Sequence, residues 1–344
     1  MRIVVHGAGS IGCFVGGAWA AAGLDVAFVG RERIREAVAR EGLTLTDYAG
    51  WRHRLPPERV AFSTKPAALA KADLIVLAVK STGTAEAAKE IGRHATKGAV
   101  VLSLQNGVSN AETLRTLLKG RFEVVQGMVP FNVAYLGQGR FHKGVAGELV
   151  AAEHKATRAI AAAAKSGPAA LRIASDMPAV AWGKLIINLN NAVNALSGLT
   201  LVEQLRQRDY RRVVAASMVE ALGVLEAAKI EPAKIGPFPP ALLPHVIGSP
   251  DFLFNNLFLK IQKIDAKARS SMADDLAAGR ETEVDYLNGE VVRLGAKVGV
   301  PTPVNAMIVS LIKQRELGVE HLWSPSRLLD HVLEGSRIAP GFGY

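Results

Sequence analysis

Cysteine is almost missing from this 344-residue chain. The single thiol, Cys13, excludes an internal disulfide and a thiolate metal cluster. It falls in the first predicted helix, where a small buried residue is the expected role rather than a reactive one. The eight histidines are scattered, with no H-E-x-x-H or comparable ligand spacing, so no metal is expected. Aromatics are scarce at 6%, which suits small-residue helices packed closely on a sheet. No three Lys or Arg residues adjoin and no basic patch is interleaved with aromatics. The net charge of +10 therefore does not read as a nucleic-acid surface. Val4 to Leu24 lacks charge altogether and has the look of a signal peptide or a membrane span. Its glycines, His6 and a strand–turn–helix pattern argue against both. No membrane partner is expected, and the protein is expected to be soluble and cytoplasmic. There is no repeat and no low-complexity segment.

What is present begins with length. A chain of 344 residues exceeds one ordinary core and implies two domains, and 49% apolar residues can fill both. The first domain announces itself at once. Residues 2–6 read as a short buried strand, Gly7-Ala8-Gly9-Ser10-Ile11-Gly12 spells G-x-G-x-x-G, and Ser10 to Ala22 reads as a helix. Gly7 permits the sharp turn off the strand. Gly9 removes a side chain so that a pyrophosphate can approach the backbone, and Gly12 lets the helix lie close to the sheet. The helix N-terminus offers unpaired N–H groups and partial positive charge to phosphates. A glycine turn in another α/β protein, or a methyltransferase loop, is the alternative.

The following strands set up the rest of such a site. Asp25–Val29 reads as the second strand, and Gly30-Arg31-Glu32-Arg33 follows it. A carboxylate at that strand end binds the ribose hydroxyls of NAD, whereas Arg there clamps the 2′-phosphate of NADP. Arg31 favours NADP(H); an exposed Arg opening the next helix, with Glu32 adjacent, is the other reading. Residues 73–79 form a continuous apolar run, as in a central parallel strand, ending at Lys80. Ligands sit at the carboxyl ends of strands in open α/β sheets, so Lys80 can meet a phosphate or a carboxylate. Residues 99–104 repeat the layout and end at Gln105-Asn106-Gly107. An amide there can donate and accept toward a nicotinamide or carbonyl, although Asn-Gly is also a common turn pair. Residues 123–129 and 145–150 read as further strands, with a helix over 153–164. The fold class is α/β: an N-terminal Rossmann-type doubly wound parallel sheet over 1–170, then a C-terminal all-helical domain over 178–325. A loop is expected over the Pro- and Gly-rich residues 236–250, and residues 326–344 read as a peripheral tail.

The helical half opens on Trp182-Gly-Lys184-Leu-Ile-Ile-Asn188-Leu-Asn-Asn191. Lys184 and Asn188 are four apart and share a helix face. A buried Lys beside amides has its pKa lowered by desolvation and can donate a proton near neutral pH. A surface Lys on an amphipathic helix is the commoner case. The run Asn188, Asn190, Asn191, Asn194 speaks against it, because such amides weaken a helix unless they bind something. Further on, Ser270-Ser271-Met272 and Thr282-Glu283-Val-Asp-Tyr-Leu-Asn288-Gly289 offer a hydroxyl and a carboxylate to a small polar ligand. Helix caps and solvated acids are the alternative.

Taken in order, these pieces resemble the ketopantoate reductase family (2-dehydropantoate 2-reductases), over about residues 2–315. The resemblance implies that residues 7–12 hold the pyrophosphate and Arg31 the 2′-phosphate of NADPH. It implies that Lys80 and Asn106 contact cofactor and substrate and that Lys184 is the proton donor. Asn188 then binds substrate, Ser271 its carboxylate, and Glu283 the substrate hydroxyl and cofactor ribose. The implied reaction passes a hydride from NADPH to the C2 carbonyl of 2-dehydropantoate, a small anionic 2-oxo acid, to give pantoate. That places the reaction in the pantothenate and coenzyme A pathway. The implied site lies in a cleft between the domains, whose closure excludes water. Such helical domains often pair, so a homodimer is the candidate assembly. Two departures stand out. The family's second Asn, one turn past the first, is Ala192 here, with Asn191 and Asn194 on either side. A Thr- and Gly-rich turn of the family reads Met128-Val-Pro-Phe131-Asn132, bulkier and facing the nicotinamide side. Both leave open a different 2-oxo acid, and the insert at 236–258 can reshape the pocket mouth. A related dehydrogenase of 3-hydroxy acids or opines, or a non-catalytic NADP(H)-binding redox sensor, also fits the architecture.

Overall fold

Short runs of Val, Ile and Leu bounded by glycines build most of the first half. The strands are β1 Arg2–His6, β2 Asp25–Val29, β3 Leu43–Asp47, β4 Arg52–Leu55, β5 Ala61–Ser63 and β6 Leu74–Leu77. They continue with β7 Val100–Ser103, β8 Glu123–Met128, β9 Val133–Tyr135, β10 Arg140–Lys143, β11 Leu149–Ala152 and β12 Leu171–Ala174. The computed structural model describes residues 1–261, 264–266, 268–319 and 321–337. It divides into two units, Met1–Met177 and Pro178–Tyr344.

In the first unit, eight strands form one sheet in the order β12-β11-β8-β7-β6-β1-β2-β5. Every pair is parallel except β8 with β11. Strand β1 explains why the central runs are unbroken apolar. Ile3 and Val5 pack into the core under the helix Ser10–Ala21, while Val4 joins the core on the opposite face with Leu69, Ile75 and Ile91. A strand covered on both sides cannot alternate with polar residues. The sheet is longer than the strands read from the sequence, and its strand β12, Leu171–Ala174, lies beyond the predicted boundary at 170. Strands β3 and β4 join β9 and β10 in a separate four-stranded sheet.

The second unit is helical, with no strand among its described residues. The long helix Arg208–Ala227 is its spine, burying Val213, Val214, Met218, Ala221 and Val224. Two expectations change here. The tail is not peripheral through 337: the helix Pro325–Arg337 packs on the spine, with Leu328 and Val332 fully buried. An amphipathic face that large is held by burial, not left in solvent. Residues 338–344 lie outside the described residues.

The segment expected as a loop over 236–250 contains a turn at Pro240–Leu242 and a helix at Leu243–Ile247, and helical structure runs on from Asp251 to Ile261. Prolines at the first helical positions start these pieces rather than break them. Arg211, fully buried, anchors them. Its guanidinium donates to the carbonyls of Leu205 (3.0 Å), Ile247 (2.8 Å) and Ser249 (2.6 Å) and to the Asp251 carboxylate (2.9 Å). It also lies 4.3 Å from the Phe254 ring centroid.

Candidate active site

The glycine loop of the first unit has the shape its sequence implies. Gly7 has a φ of +91°, and a Cβ there would stand 2.5 Å from the Val79 nitrogen. The N–H groups of Gly7 and Ala8 both donate to the Val29 carbonyl, at 3.0 and 2.9 Å, pinning the turn to the end of β2. A Cβ on Gly12 would meet the Gly7 oxygen at 2.7 Å, so residue 12 must be bare for the helix to start there. Gly9 is exposed and faces open space: its would-be Cβ has no neighbour nearer than 4.0 Å. Ala8 is buried behind it, with Ser10 and Ile11 half-buried. The bare backbone and free helix N-terminus make a cradle that fits a dinucleotide pyrophosphate.

Arg31 stands at the end of β2 as the residue before the helix Glu32–Glu41, extended and exposed. Among the described residues its guanidinium has no ion pair. Glu32, the obvious partner, instead accepts twice from Arg35 one turn on, from Nε at 2.8 Å and from Nη2.

The ends of β6 and β7 are tied by a buried polar network. Ser81 donates to the Asn106 carbonyl at 2.9 Å, and Asn110 Nδ2 donates to Ser81 Oγ at 3.0 Å and also to the Asn106 carbonyl. Thr84 donates to Asn110 Oδ1 at 3.0 Å, and Gln105 Nε2 donates to Thr84 Oγ1 at 2.8 Å. Gln105 therefore serves the scaffold, while half-buried Asn106 and exposed Lys80 stand at its rim. Sequence reasoning missed Ser81, Thr84 and Asn110. Their signal was small polar residues in the turns and at the helix starts that follow two apolar strands.

Phe131 is not a ligand-facing bulk. It is buried, packs edge-on against Phe14 at 6.0 Å between centroids, and lies under the Lys143 ammonium at 4.1 Å. Lys143 in turn donates to the carbonyls of Gly147 and Pro168 at 2.8 and 2.7 Å. The aromatic fills a core slot beside a buried cation. Its place in the core leaves Phe131 no part in selecting a different substrate.

In the second unit, Lys184, Asn188 and Asn191 share one stripe and are all half-buried. They span the helices Met177–Asn188 and Asn190–Ser197, which meet at Leu189. The Leu189 N–H is shared between the carbonyls of Leu185 (3.1 Å) and Ile186 (3.4 Å), so the helix runs on with a slight disturbance. Seven residues bring Asn191 within about 20° of Lys184 around a regular helix. Ala192 is fully buried, and Asn194 is turned inward to a structural task. Gly183 allows the backbone at Ala233 to press on the helix beside Lys184; a Cβ would stand 2.1 Å from the Ala233 oxygen. Burial pulls the Lys184 ammonium down to about 8, against the opposing pull of the Glu283 carboxylate.

Ser270, rather than Ser271, caps the helix Ser271–Ala277, accepting from the Ala273 N–H at 3.1 Å. Ser271 is its exposed first residue, leaving its hydroxyl at the surface. Buried Glu283 sits in a held turn. Thr282 next to it donates its N–H (2.8 Å) and hydroxyl (2.7 Å) to Glu316. Asn288, fully buried, donates to Asn305 Oδ1 at 3.0 Å and so belongs to the core rather than to a ligand.

A Rossmann-type nucleotide cradle in one unit and a lysine with a lowered pKa among amides in a helical second unit define an oxidoreductase class. The family models agree. "Ketopantoate reductase PanE/ApbA" matches residues 3–156, and its C-terminal counterpart matches residues 176–316. A 2-dehydropantoate 2-reductase of Pyrococcus abyssi is 29% identical over 324 residues, covering 92% of this chain and 98% of that protein. The crystal structure of a PanE/ApbA family ketopantoate reductase from Ralstonia eutropha JMP134 superposes with a TM-score of 0.79. It is 31% identical, covering 93% of this chain and all of that one, 100%. A D-mandelate dehydrogenase solved with NADH and anilino(oxo)acetate shares the fold, with a TM-score of 0.73 at 20% identity, over 92% of this chain and 99% of that one. The chain belongs to the ketopantoate reductase family. Family membership brings a nicotinamide cofactor with it. No helix among the described residues is long and apolar enough to cross a membrane.

Proposed function

We propose that this protein reduces 2-dehydropantoate to pantoate with NADPH. The observation that carries the reading is Lys184: an ammonium lowered to about 8, aligned with two amides, in a member of this family. Residues 7–12 receive the pyrophosphate, Arg31 the 2′-phosphate, and Lys80 and Asn106 border the nicotinamide end. A bound reduced nicotinamide supplies the hydride. As charge grows on the C2 oxygen, Lys184 Nζ stabilises it and then gives up a proton, leaving a neutral amine and a hydroxyl group. Asn188 and Asn191 orient the oxygens of the substrate, Ser271 donates to its carboxylate, and Glu283 accepts from its hydroxyl and from the cofactor ribose.

Steady-state turnover of 2-dehydropantoate with NADPH tests this directly. No turnover by purified protein that still binds NADPH would reject the substrate. A second reading, reduction of a different 2-oxo acid, rests on Ala192. An apolar methyl stands where the family carries an amide, and a related fold is named for mandelate. A panel of 2-oxo acids in the same assay separates the two.

A further inference from the structure

The edge strand β5 leaves the main sheet beside β2. Their parallel register pairs Val29 with Ser63, and Gly30 donates its N–H to the Ser63 carbonyl at 3.0 Å. Continued by two residues, that register sets Arg31 beside Lys65. Both residues are extended, with φ, ψ of −75°, 148° at Arg31 and −97°, 124° at Lys65, and each immediately precedes a helical segment. Neighbouring strands run about 4.8 Å apart, well within the reach of two long side chains.

Ser63 holds the corner. Its Oγ accepts the Lys65 N–H at 3.0 Å and lies 3.3 Å from the Lys65 carbonyl, so residue 65 leaves the strand in a defined direction. The corner also adjoins the glycine loop. A Cβ on Gly30 would come within 2.9 Å of both the Ala8 methyl and the Phe62 ring, so residues 8, 30 and 62 converge on one spot. Phe62 is itself stacked on Phe28, with centroids 5.8 Å apart. Arg31 and Lys65 are both exposed, and among the described residues neither has an ion pair. Glu32, next to Arg31 in the chain, is engaged by Arg35. Two uncompensated cations at the rim of a nucleotide cradle match a phosphate monoester dianion, not a ribose diol.

We propose that Lys65 acts with Arg31 as a specificity residue that grips the 2′-phosphate of NADP(H). This rests on the NADP reading of the site and extends it to the edge strand. Lys65 supplies a point charge opposite the planar fork of Arg31, so the phosphate is held from two strands.

The test is calorimetric binding of 2′,5′-ADP and 5′-AMP to the full-length protein, which needs no turnover. The wild type is expected to bind 2′,5′-ADP the more tightly. Lys65→Ala is expected to weaken 2′,5′-ADP about tenfold and to leave 5′-AMP within about twofold, the size of one charge-assisted contact. Lys65→Arg should restore most of the loss. Lys65 is exposed, so the variants should melt as the wild type does. Equal losses on both nucleotides, or no loss on either, would overturn the role of Lys65 while leaving Arg31 in place. A wild type that does not distinguish the nucleotides would instead remove the NADP reading, and this inference with it.

Discussion

Asn194 ties two distant segments of the helical unit: its Oδ1 accepts the backbone N–H of Ser270 at 2.9 Å, and its Nδ2 donates to the Leu199 carbonyl at 3.1 Å. Ser270 answers by donating its hydroxyl to the Asn191 carbonyl, also at 2.9 Å. The capped helix that begins at Ser271 is thus fastened to the helix that carries Asn191. A leucine at 194 would leave the buried Ser270 N–H unpaired, at about 1–3 kcal/mol, and the half-buried Leu199 carbonyl without this donor. Asn194→Leu should lower the denaturation midpoint and raise KM for the 2-oxo acid while leaving NADPH binding nearly unchanged. Urea unfolding together with separate KM values for the two ligands reads both effects. An unchanged midpoint would mean that the tie contributes nothing.

Lys184→Ala removes the ammonium proposed as proton donor without touching the glycine cradle. We expect kcat to fall by at least ~10²-fold while the NADPH dissociation constant barely moves. Fluorescence titration of NADPH alongside initial rates separates the two. A parallel loss of NADPH affinity would assign Lys184 to cofactor binding instead.

The candidate site is legible in the sequence where a residue's job is local. The glycines at 7, 9 and 12 carry their reason in their spacing, and the Lys184–Asn188 stripe follows from helix periodicity. What stayed hidden depends on distant partners. Gln105 and Asn106 are indistinguishable as neighbouring amides until Ser81, Thr84 and Asn110 enclose the first and leave the second at the rim. The structural task of Asn194 likewise shows only through its contact with Ser270. The helices after Pro240 were masked because proline breaks a helix in its interior but begins one at its first turn. The burial of Arg211 by four main-chain and side-chain acceptors has no signature along the chain at all.

Arg31→Ala should weaken NADPH far more than NADH, because only the former carries a phosphate on the adenosine ribose. Glu32 will not take over or interfere, since Arg35 already engages it. Competitive binding of the two cofactors to wild type and variant measures the ratio. Equal losses would mean that Arg31 supports the fold of the strand end rather than recognising phosphate.

The reduction should fail in base, with a midpoint set by Lys184. Its ammonium, lowered to about 8 by burial, must be protonated to donate. The rate is therefore full below about 8 and falls about tenfold per unit above it. Oxidation of the hydroxy acid needs the neutral amine and should show the opposite profile, rising to a plateau above the same midpoint. Glu283 acts against burial by favouring the charged ammonium. Glu283→Gln removes that support, so the Lys184 pKa drops and the alkaline loss of reduction begins at lower pH. Profiles of kcat/KM in both directions check the pair of signs. A midpoint that moves upward in the Gln variant, or does not move, would show that the carboxylate does not sense the ammonium.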